Sequence, residues 1–410
     1  MNGHSAWTFM VYIAGDNNLS AAGDNDLAEM RRVGSTDQVQ IVAQFDNAGD
    51  FGTRRIHVQR EGRDERVETL AETDSGSPEV LSAFIAWAAG EYPAERYALI
   101  LWNHGSGWEP SEMDRIARSV DAAGYSEREV TERSASPLRR AFFRSSLERI
   151  FRQNGPTERA ICSDDGSGHS LDTIELDHVL ADAVDKLGRR IDLLGMDACL
   201  MSSLEVAYEV RDRARFLVGS EENAPNQGWP YDRILATLTA DPALATEELA
   251  RSIVEHYIAY YRERDHRGDV TQAALDLGLV AELTQPLDEL ANALLEHFPA
   301  AAAEIWSAQR KAARFWHNTL WDLAHFCQEL ENATTSEAVR ASAAAVRAAL
   351  APGAGRPILA ESHRGPKVDR CAGVNLYLVP PLTAISRYYS DLAFTRDTRW
   401  LEMLEAYHAA

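Results

Sequence analysis

The stretch "IDLLGMDACLMSS", residues 191–203, is an apolar run that stops at an acid, Asp197, with Cys199 two residues later. Its first six residues have the length and apolar character of a β-strand buried on both faces, as strands of parallel sheets are. In open α/β sheets, ligands bind at the carboxyl ends of the strands. The stretch therefore predicts an α/β fold with a functional site at this strand end, although a cysteine here can also be a small buried residue.

A second buried strand is predicted within "RYALILWNHGSGW", residues 96–108, and it ends at Asn103, His104 and Gly105. Further strand patterns alternate with helical periodicity along the first 240 residues. Such alternation is typical of parallel strands joined by helical crossovers, which produce a sheet covered by helices on both faces. We therefore predict a mostly parallel sheet flanked by helices.

The length of 410 residues exceeds what one simple core needs and suits a large catalytic domain with an extension. We predict a catalytic domain over residues 1–240 and a mainly helical C-terminal region with additional strands over residues 241–410. The predicted elements of that region are strands at 269–277 and 372–380 and helices at 244–264, 278–297, 301–314, 318–332 and 335–350.

The composition excludes several classes of partner. The chain has 41 basic and 63 acidic residues, a net charge of −22, which argues against binding nucleic acid or anionic membranes. No apolar run reaches the length of a membrane span, and the N-terminal segment lacks the basic start of a signal peptide, so a cytoplasmic protein is expected. The four cysteines lie far apart without the spacing of zinc sites.

A thiol and an imidazole at neighbouring strand ends suit nucleophilic catalysis. His104 would deprotonate Cys199 and later protonate the leaving amine. A glycine at position 105 leaves its backbone N–H free to approach a substrate closely. With the N–H of Cys199 it would form an oxyanion hole. Spacing alone does not separate this dyad from a chance coincidence of the two residue types.

Four motifs, in order along about residues 6–235, resemble those of the clostripain family, cysteine peptidases of the caspase-like clan: "WTFMVYIAGDNNLS", "YALILWNHGSGW", "DLLGMDACLMSSLEVAYEV" and "FLVGSEENAPNQGWPY". The resemblance implies a caspase-like sheet, with His104 as the catalytic histidine and Cys199 as the nucleophile. It also implies that Asp197 lies at the base of the primary specificity pocket and pairs with an Arg or Lys before the scissile bond. Arg is preferred over Lys, since a planar guanidinium matches a carboxylate bidentately.

Asp197 has a purely structural alternative. It could cap a helix predicted from about Leu200 to Arg213. Glu221, Glu222 and Trp229 follow the next predicted strand and are expected to line the substrate cleft, unless they are ordinary loop residues.

Residues 109–157 are polar, poorly periodic and rich in Ser, Glu and Arg, which predicts a flexible insert. The segment holds nine Arg and no Lys, and relatives in the resembled family are matured by cleavage in such a segment. A cytoplasmic protease that cuts after accessible Arg would be toxic unless latent. We therefore predict activation by cleavage there, by the enzyme itself or by another protease, and the alternative is an insert without a regulatory role. The predicted cut points are Arg133, Arg139, Arg140 and Arg144.

Other reactive residues have simpler interpretations. Cys162 and His169 flank "SDDGSG" and could form a rival dyad, but an incidental thiol on a surface loop is expected, because no buried strand end presents the pair. His317, His325 and Cys327 lie on an aromatic helical pattern and are expected to be core and interface residues rather than ligands.

We expect a cysteine endopeptidase that acts on proteins or peptides with accessible Arg or Lys, in a signalling or defence role, without a required cofactor. Some relatives are helped by calcium, but the acidic segment 15–29 does not fit an EF-hand, since the twelfth position from Asp16 is Leu27, so calcium stays unassigned. Two alternatives stay open: an inactive caspase-like scaffold that binds a partner, and a cysteine amidase that acts on a small amide.

Overall fold

The computed structural model describes residues 4–17, 19–48, 52–63, 65–105, 107–108, 171–315, 319–386 and 388–410. The predicted insert at 109–157 lies outside the described residues. Seven residues named in the sequence analysis also lie outside the described residues: Arg133, Arg139, Arg140, Arg144, Cys162, His169 and His317.

The described residues form twelve strands and twelve α-helices. The strands are β1 (Ser5–Gly15), β2 (Val39–Asn47), β3 (Thr53–His57), β4 (Arg66–Thr69), β5 (Ala94–Trp102), β6 (Ile191–Asp197), β7 (Ala214–Gly219), β8 (Val270–Asp276), β9 (Arg314–Phe315), β10 (Leu320–Asp322), β11 (Ile358–Arg364) and β12 (Asn375–Tyr377). The helices are α1 (Ser20–Val33), α2 (Pro78–Glu91), α3 (Thr173–Leu187), α4 (Leu204–Glu209), α5 (Tyr231–Ala240), α6 (Thr246–Glu263), α7 (Ala281–His297), α8 (Ala300–Gln309), α9 (Leu323–Ala333), α10 (Glu337–Ala349), α11 (Ala393–Asp397) and α12 (Trp400–Ala409).

Nine of these strands form one sheet in the order β11-β8-β7-β6-β5-β1-β2-β3-β4. The five central strands, from β7 to β2, are parallel, and antiparallel strands extend both edges. The predicted fold class, a mostly parallel sheet flanked by helices, is confirmed.

Alternate residues of the central strands face two hydrophobic clusters. In β1, Met10 and Tyr12 pack into the first cluster, and Phe9, Val11 and Ile13 pack into the second. Because successive side chains of a strand point to opposite faces, a strand between two clusters must be apolar at nearly every position. This explains the uninterrupted apolar runs in the sequence.

The C-terminal helices share the first of these clusters. Leu287 of α7, Phe326 of α9, Val346 of α10 and Trp400 of α12 are fully buried in it together with strand residues. The predicted division at residue 240 stays a prediction, but it does not separate two hydrophobic cores. None of the described helices is both long and apolar enough to cross a membrane.

Several predicted elements of the C-terminal region differ from the structure. The helix predicted at 318–332 begins only at Leu323, since the three residues before it form β10 and pair with β12. Strand β11 was not predicted: it joins the sheet edge beside β8, and five of its seven residues are only half-buried, so it lacks a strong apolar signature. The helix predicted at 301–314 ends at Gln309.

Gly195 tests the packing of the sheet. A Cβ atom there would lie 2.5 Å from Ile100 Cδ1 and 2.8 Å from Trp229 Cη2. We expect Gly195→Ala to lower the free energy of unfolding by about 1–3 kcal/mol through overpacking. The matched control is Gly90→Ala in α2, where a Cβ meets nothing within 4 Å, and it should raise that free energy by about 0.4–1 kcal/mol. Urea denaturation of both variants measures the difference, and equal stability of the two would contradict this packing.

Candidate active site

The pairing of β5 with β6 brings the two predicted reactive residues to one edge of the sheet. Trp102, the last residue of β5, pairs in register with Asp197, the last residue of β6. The Asn103 N–H continues this ladder by donating to the Asp197 carbonyl oxygen, at 3.3 Å. His104 and Cys199 each follow two residues beyond this pair, and adjacent strands lie about 4.8 Å apart. The structure therefore brings the two residues to the same edge of the sheet, on adjacent strands.

Asn103 fixes the chain just before the histidine, a role that the sequence reasoning missed. Its Nδ2 donates to the Ala14 carbonyl oxygen at 2.5 Å, and its Oδ1 accepts from the backbone N–H of His104. Asn17 Nδ2 also donates to this Oδ1, at 3.4 Å. The turn after β5 is thus bonded to the end of β1. The available signal in the sequence was an asparagine directly after an apolar strand.

Gly105 packs directly on the segment that carries Cys199. A Cβ at this position would overlap the Cys199 carbonyl oxygen, so only glycine permits the close approach. The backbone N–H of Gly105 also interacts with the Cys199 sulfur and favours its ionised form. The N–H predicted to line an oxyanion hole therefore lies beside the thiol.

The thiol of Cys199 is the only partly exposed one among the described cysteines, since Cys327 and Cys371 are buried. Burial raises the pKa of Cys199, and the N–H groups of Ala224 and Gly105 oppose this effect. The Ala224 N–H donates to Sγ at 3.2 Å. A thiol with a raised pKa is protonated at neutral pH and needs a neighbouring base to become a nucleophile.

Asp197 is 4% exposed, and its Oδ2 accepts hydrogen bonds from the Trp229 N–H at 3.0 Å and the Tyr231 hydroxyl at 2.9 Å. Burial raises the pKa of Asp197 to about 7, and these two hydrogen bonds oppose the shift. The alternative that Asp197 caps a helix from about Leu200 is wrong, because α4 begins only at Leu204.

A second buried acid, Asp26 of α1, lies beside Asp197 and was missed by the sequence reasoning. A Cβ on Gly228 would lie 2.9 Å from an oxygen of each carboxylate. Asp26 Oδ2 accepts from the Trp102 indole N–H at 2.6 Å, but burial and the charge of Asp197 raise the pKa of Asp26 well above its usual value. The available signal was its place on the buried face of α1, one helical turn before Met30.

The structure places the three expected cleft residues in different surroundings. Trp229 is buried, with its ring against Gly195 and its N–H on Asp197. Glu222 pairs with Lys367, with 2.5 Å between Oε2 and Nζ, and its carbonyl oxygen accepts from the Leu200 N–H.

Glu221 differs most from its predicted place. It is 1% exposed, and its carboxylate accepts from the Gly373 N–H of the C-terminal region rather than facing the cleft. The interpretation of His325 and Cys327 as buried residues agrees with the structure, which places both on α9.

Residues 11–139 and 149–407 match the clostripain family, peptidase family C11. The chain belongs to the clostripain family. This is a family of cysteine peptidases, so the predicted recognition is confirmed. Clostripain from Hathewaya histolytica is 25% identical over 273 residues, which are 59% of this chain and 44% of that protein. The match thus spans less than half the length of this relative.

Two solved structures of the clostripain family share the fold. An inactive zymogen C11 protease from Parabacteroides distasonis is 17% identical, with a TM-score of 0.66 over 97% of this chain and 99% of its own. A secreted C11 cysteine protease from Bacteroides thetaiotaomicron, solved with an irreversible peptide inhibitor, is 19% identical, with a TM-score of 0.63 over 99% of this chain and 100% of its own. The predicted caspase-like sheet is confirmed.

Proposed function

We propose that this protein is a cysteine endopeptidase that cleaves peptide bonds after Arg, and less readily after Lys. Cys199 is the nucleophile and His104 is the general base. The observation that carries the proposal is the in-register end of β5 and β6, which brings the two residues to the same edge of the sheet with the Gly105 N–H beside the sulfur.

The reaction follows from these positions. His104 takes the proton of the Cys199 thiol, and the thiolate attacks the carbonyl carbon of the scissile bond. The N–H groups of Gly105 and Cys199 stabilise the oxyanion, a contribution typically worth about 10²–10³ in rate for each donor. His104 then protonates the leaving amine, and a water molecule activated by the same imidazole hydrolyses the thioester.

Two buried carboxyls support a preference for a cationic side chain. The charges that raise the pKa of Asp26 belong to Asp197 and Glu29, and the charge that raises the pKa of Asp197 belongs to Glu29. The charges acting on both carboxyls are therefore acidic. Both hydrogen bonds of Asp197 end on Oδ2, which leaves Oδ1 to accept from a substrate. A guanidinium offers several N–H donors in one plane and would compensate both acids.

A latent form in the cytoplasm, activated by cleavage within 109–157, is part of the proposal. The Parabacteroides relative was solved as an inactive zymogen, which supports latency. The spread of Arg residues through the segment supports cleavage by an enzyme with the specificity proposed above.

The dyad is tested by Cys199→Ala and His104→Ala. We expect the first variant to lose measurable hydrolysis of arginyl peptides and the second to lose about 10²–10⁴-fold in rate, because the thiol then lacks its base. Initial rates measure this, with far-UV circular dichroism to verify folding and Cys162→Ala as the control that stays active. Wild-type rates in Cys199→Ala would refute the dyad.

A wild type that a peptidyl-arginine thiol probe does not label would favour the scaffold, and hydrolysis of free glutamine alone would favour the amidase.

The specificity pocket is tested by Asp197→Asn and Asp26→Asn. We expect each variant to lose about 2–5 kcal/mol of transition-state stabilisation on Arg substrates and much less on neutral ones. The ratio of kcat/KM for matched Arg and neutral peptides measures this preference. Since the pKa of Asp197 is about 7, the ratio should rise with pH through that value in the wild type, as the carboxylate ionises.

Asp192→Asn is the matched control for the pocket. Asp192 is equally buried on the same strand, but it lies near the opposite end and pairs with Arg189 and Arg215. This variant can lose stability, but it should keep the substrate ratio. A wild type that prefers Asp before the scissile bond would contradict the pocket.

Activation is tested by mass mapping of the purified chain, as wild type and as Cys199→Ala, with and without cell extract. Self-cleavage predicts fragments from the wild type alone, and an activating protease predicts fragments from both proteins only with extract. Replacing Arg133, Arg139, Arg140 and Arg144 together by Gln should block the cut, whereas Arg115→Gln should not. Full activity of a chain that stays intact through 109–157 would exclude activation by cleavage.

A further inference from the structure

A buried cluster outside the proposed catalytic machinery joins the sheet to the C-terminal region. Glu221 follows β7, Asp322 ends β10, and Cys371 precedes β12. One potential ligand atom of each residue lies within 4.8 Å of those of the other two. The three residues are 1%, 0% and 5% exposed, respectively. The proposed reaction uses none of them.

Donors from outside the cluster reach three of its four carboxylate oxygens. Asp322 Oδ1 accepts from the His325 N–H at 2.6 Å, and Oδ2 accepts from the Ala372 N–H at 2.8 Å. Glu221 Oε1 accepts from the Gly373 N–H at 3.2 Å, and the Glu221 carboxyl also interacts by hydrogen bonds with the Asp322 carboxyl and the Cys371 thiol. Glu221 Oε2 is enclosed, and no donor from outside the cluster reaches it. A buried carboxylate oxygen in this condition requires either a proton or a cation.

The charges around the cluster do not supply that cation. Burial raises the pKa of Glu221, and the charges of Asp322 and Glu361 raise it further. The charge of Glu361 also raises the pKa of Asp322. His363 of β11 interacts with Asp322, but its Nδ1 lies 3.1 Å from a carboxylate oxygen of Glu361. The two basic residues on the neighbouring loop are also paired with acids outside the cluster. Lys367 binds Glu222, and Arg370 lies 3.6 Å from a carboxylate oxygen of Glu329.

We propose that Glu221, Asp322 and Cys371 form a binding site for one divalent cation of the zinc class. A thiolate with two carboxylates is a donor set that Zn²⁺ accepts, at about 2.3 Å for sulfur and about 2.0–2.2 Å for oxygen. Ca²⁺ and Mg²⁺ require oxygen ligands, and six or more of them, so the thiol disfavours both ions. Binding would bring the three ligand atoms closer together and release the thiol proton to solvent.

A fourth donor lies next to the cluster. Asn375 pairs with Asp322 across β12 and β10, and its buried Oδ1 has no hydrogen-bond partner. Its Nδ2 donates to the carbonyl oxygens of Leu200 and Glu221, at 3.3 and 3.2 Å. Leu200 directly follows Cys199. A cation in the cluster would therefore brace the segment that carries the nucleophile.

The experiment uses the full chain with Cys199→Ala and Cys162→Ala, after dialysis against a chelator. These changes remove the partly exposed thiol of the described residues and the thiol expected on a surface loop. Co²⁺ is titrated as the spectroscopic probe, and Zn²⁺ is then added as a competitor. We expect one equivalent of Co²⁺ to give a thiolate charge-transfer band that Zn²⁺ abolishes. Adding Cys371→Ser should remove the band and weaken Zn²⁺ binding, measured by calorimetry, at least tenfold. Adding Cys327→Ser, the matched control with another buried thiol, should change neither.

A second ligand variant keeps the test decisive if Cys371→Ser does not fold. Glu221→Gln preserves the shape of the side chain and should weaken Zn²⁺ binding at least tenfold while the charge-transfer band persists at higher Co²⁺ concentration. Two results would overturn the proposal: no binding of either ion to the parent protein, or a band that survives Cys371→Ser. In the first case the two carboxyls would share a proton instead.

Discussion

The parallel pairing of β5 with β6 is the constraint on which the site depends. Both strands are buried between two hydrophobic clusters, so their register is fixed by which side chains face each cluster. A shift of one residue would turn every apolar side chain of a strand to the other face. The same register sets Trp102 opposite Asp197 and thereby determines how far His104 and Cys199 extend beyond the sheet. The chemistry at the edge is thus positioned by the packing of the core.

The buried acids at the two ends of β6 have different kinds of partner. Asp192, near the start of β6, is neutralised by Arg189 and Arg215. Asp197, at the end of the same strand, has instead two hydrogen bonds and another acid, Asp26, as its neighbours. Burying a charge without a partner is costly, so the strand tolerates uncompensated carboxyls only at its carboxyl end. That is the end at which sheets of this kind bind ligands.

The C-terminal region is hydrogen-bonded to the segment that follows β6. Ser202 donates to the Gly373 carbonyl oxygen and accepts, through its own carbonyl oxygen, from the Asn375 N–H. Glu205, buried in α4, accepts from the Tyr377 N–H and the Tyr389 hydroxyl. These contacts continue the hydrophobic cluster that the helices share with the sheet. The segment that carries Cys199 is therefore held by both halves of the chain.

The sequence by itself determined the central strands, the order of the motifs and the family. Strands buried on both faces need continuous apolar runs, as in residues 96–102 and 191–196, and such runs are visible without a structure. The sites of His104, Gly105 and Cys199 followed, because each stands at or just beyond the end of such a run. The predictions for residues 109–157 rest on composition, and these residues lie outside the described part of the chain.

The tertiary structure alone decided the rest, because those features are contacts between residues far apart in the chain. Asp26 meets Asp197 only when α1 packs beside Gly228, and Glu221 meets Asp322 only when the C-terminal region folds onto the sheet edge. Strand β11 exists because β8 offers it an edge, not because its own residues are apolar. A local sequence pattern shows which face of a strand or helix must be buried. The residues that pack against that face are decided by the folded chain.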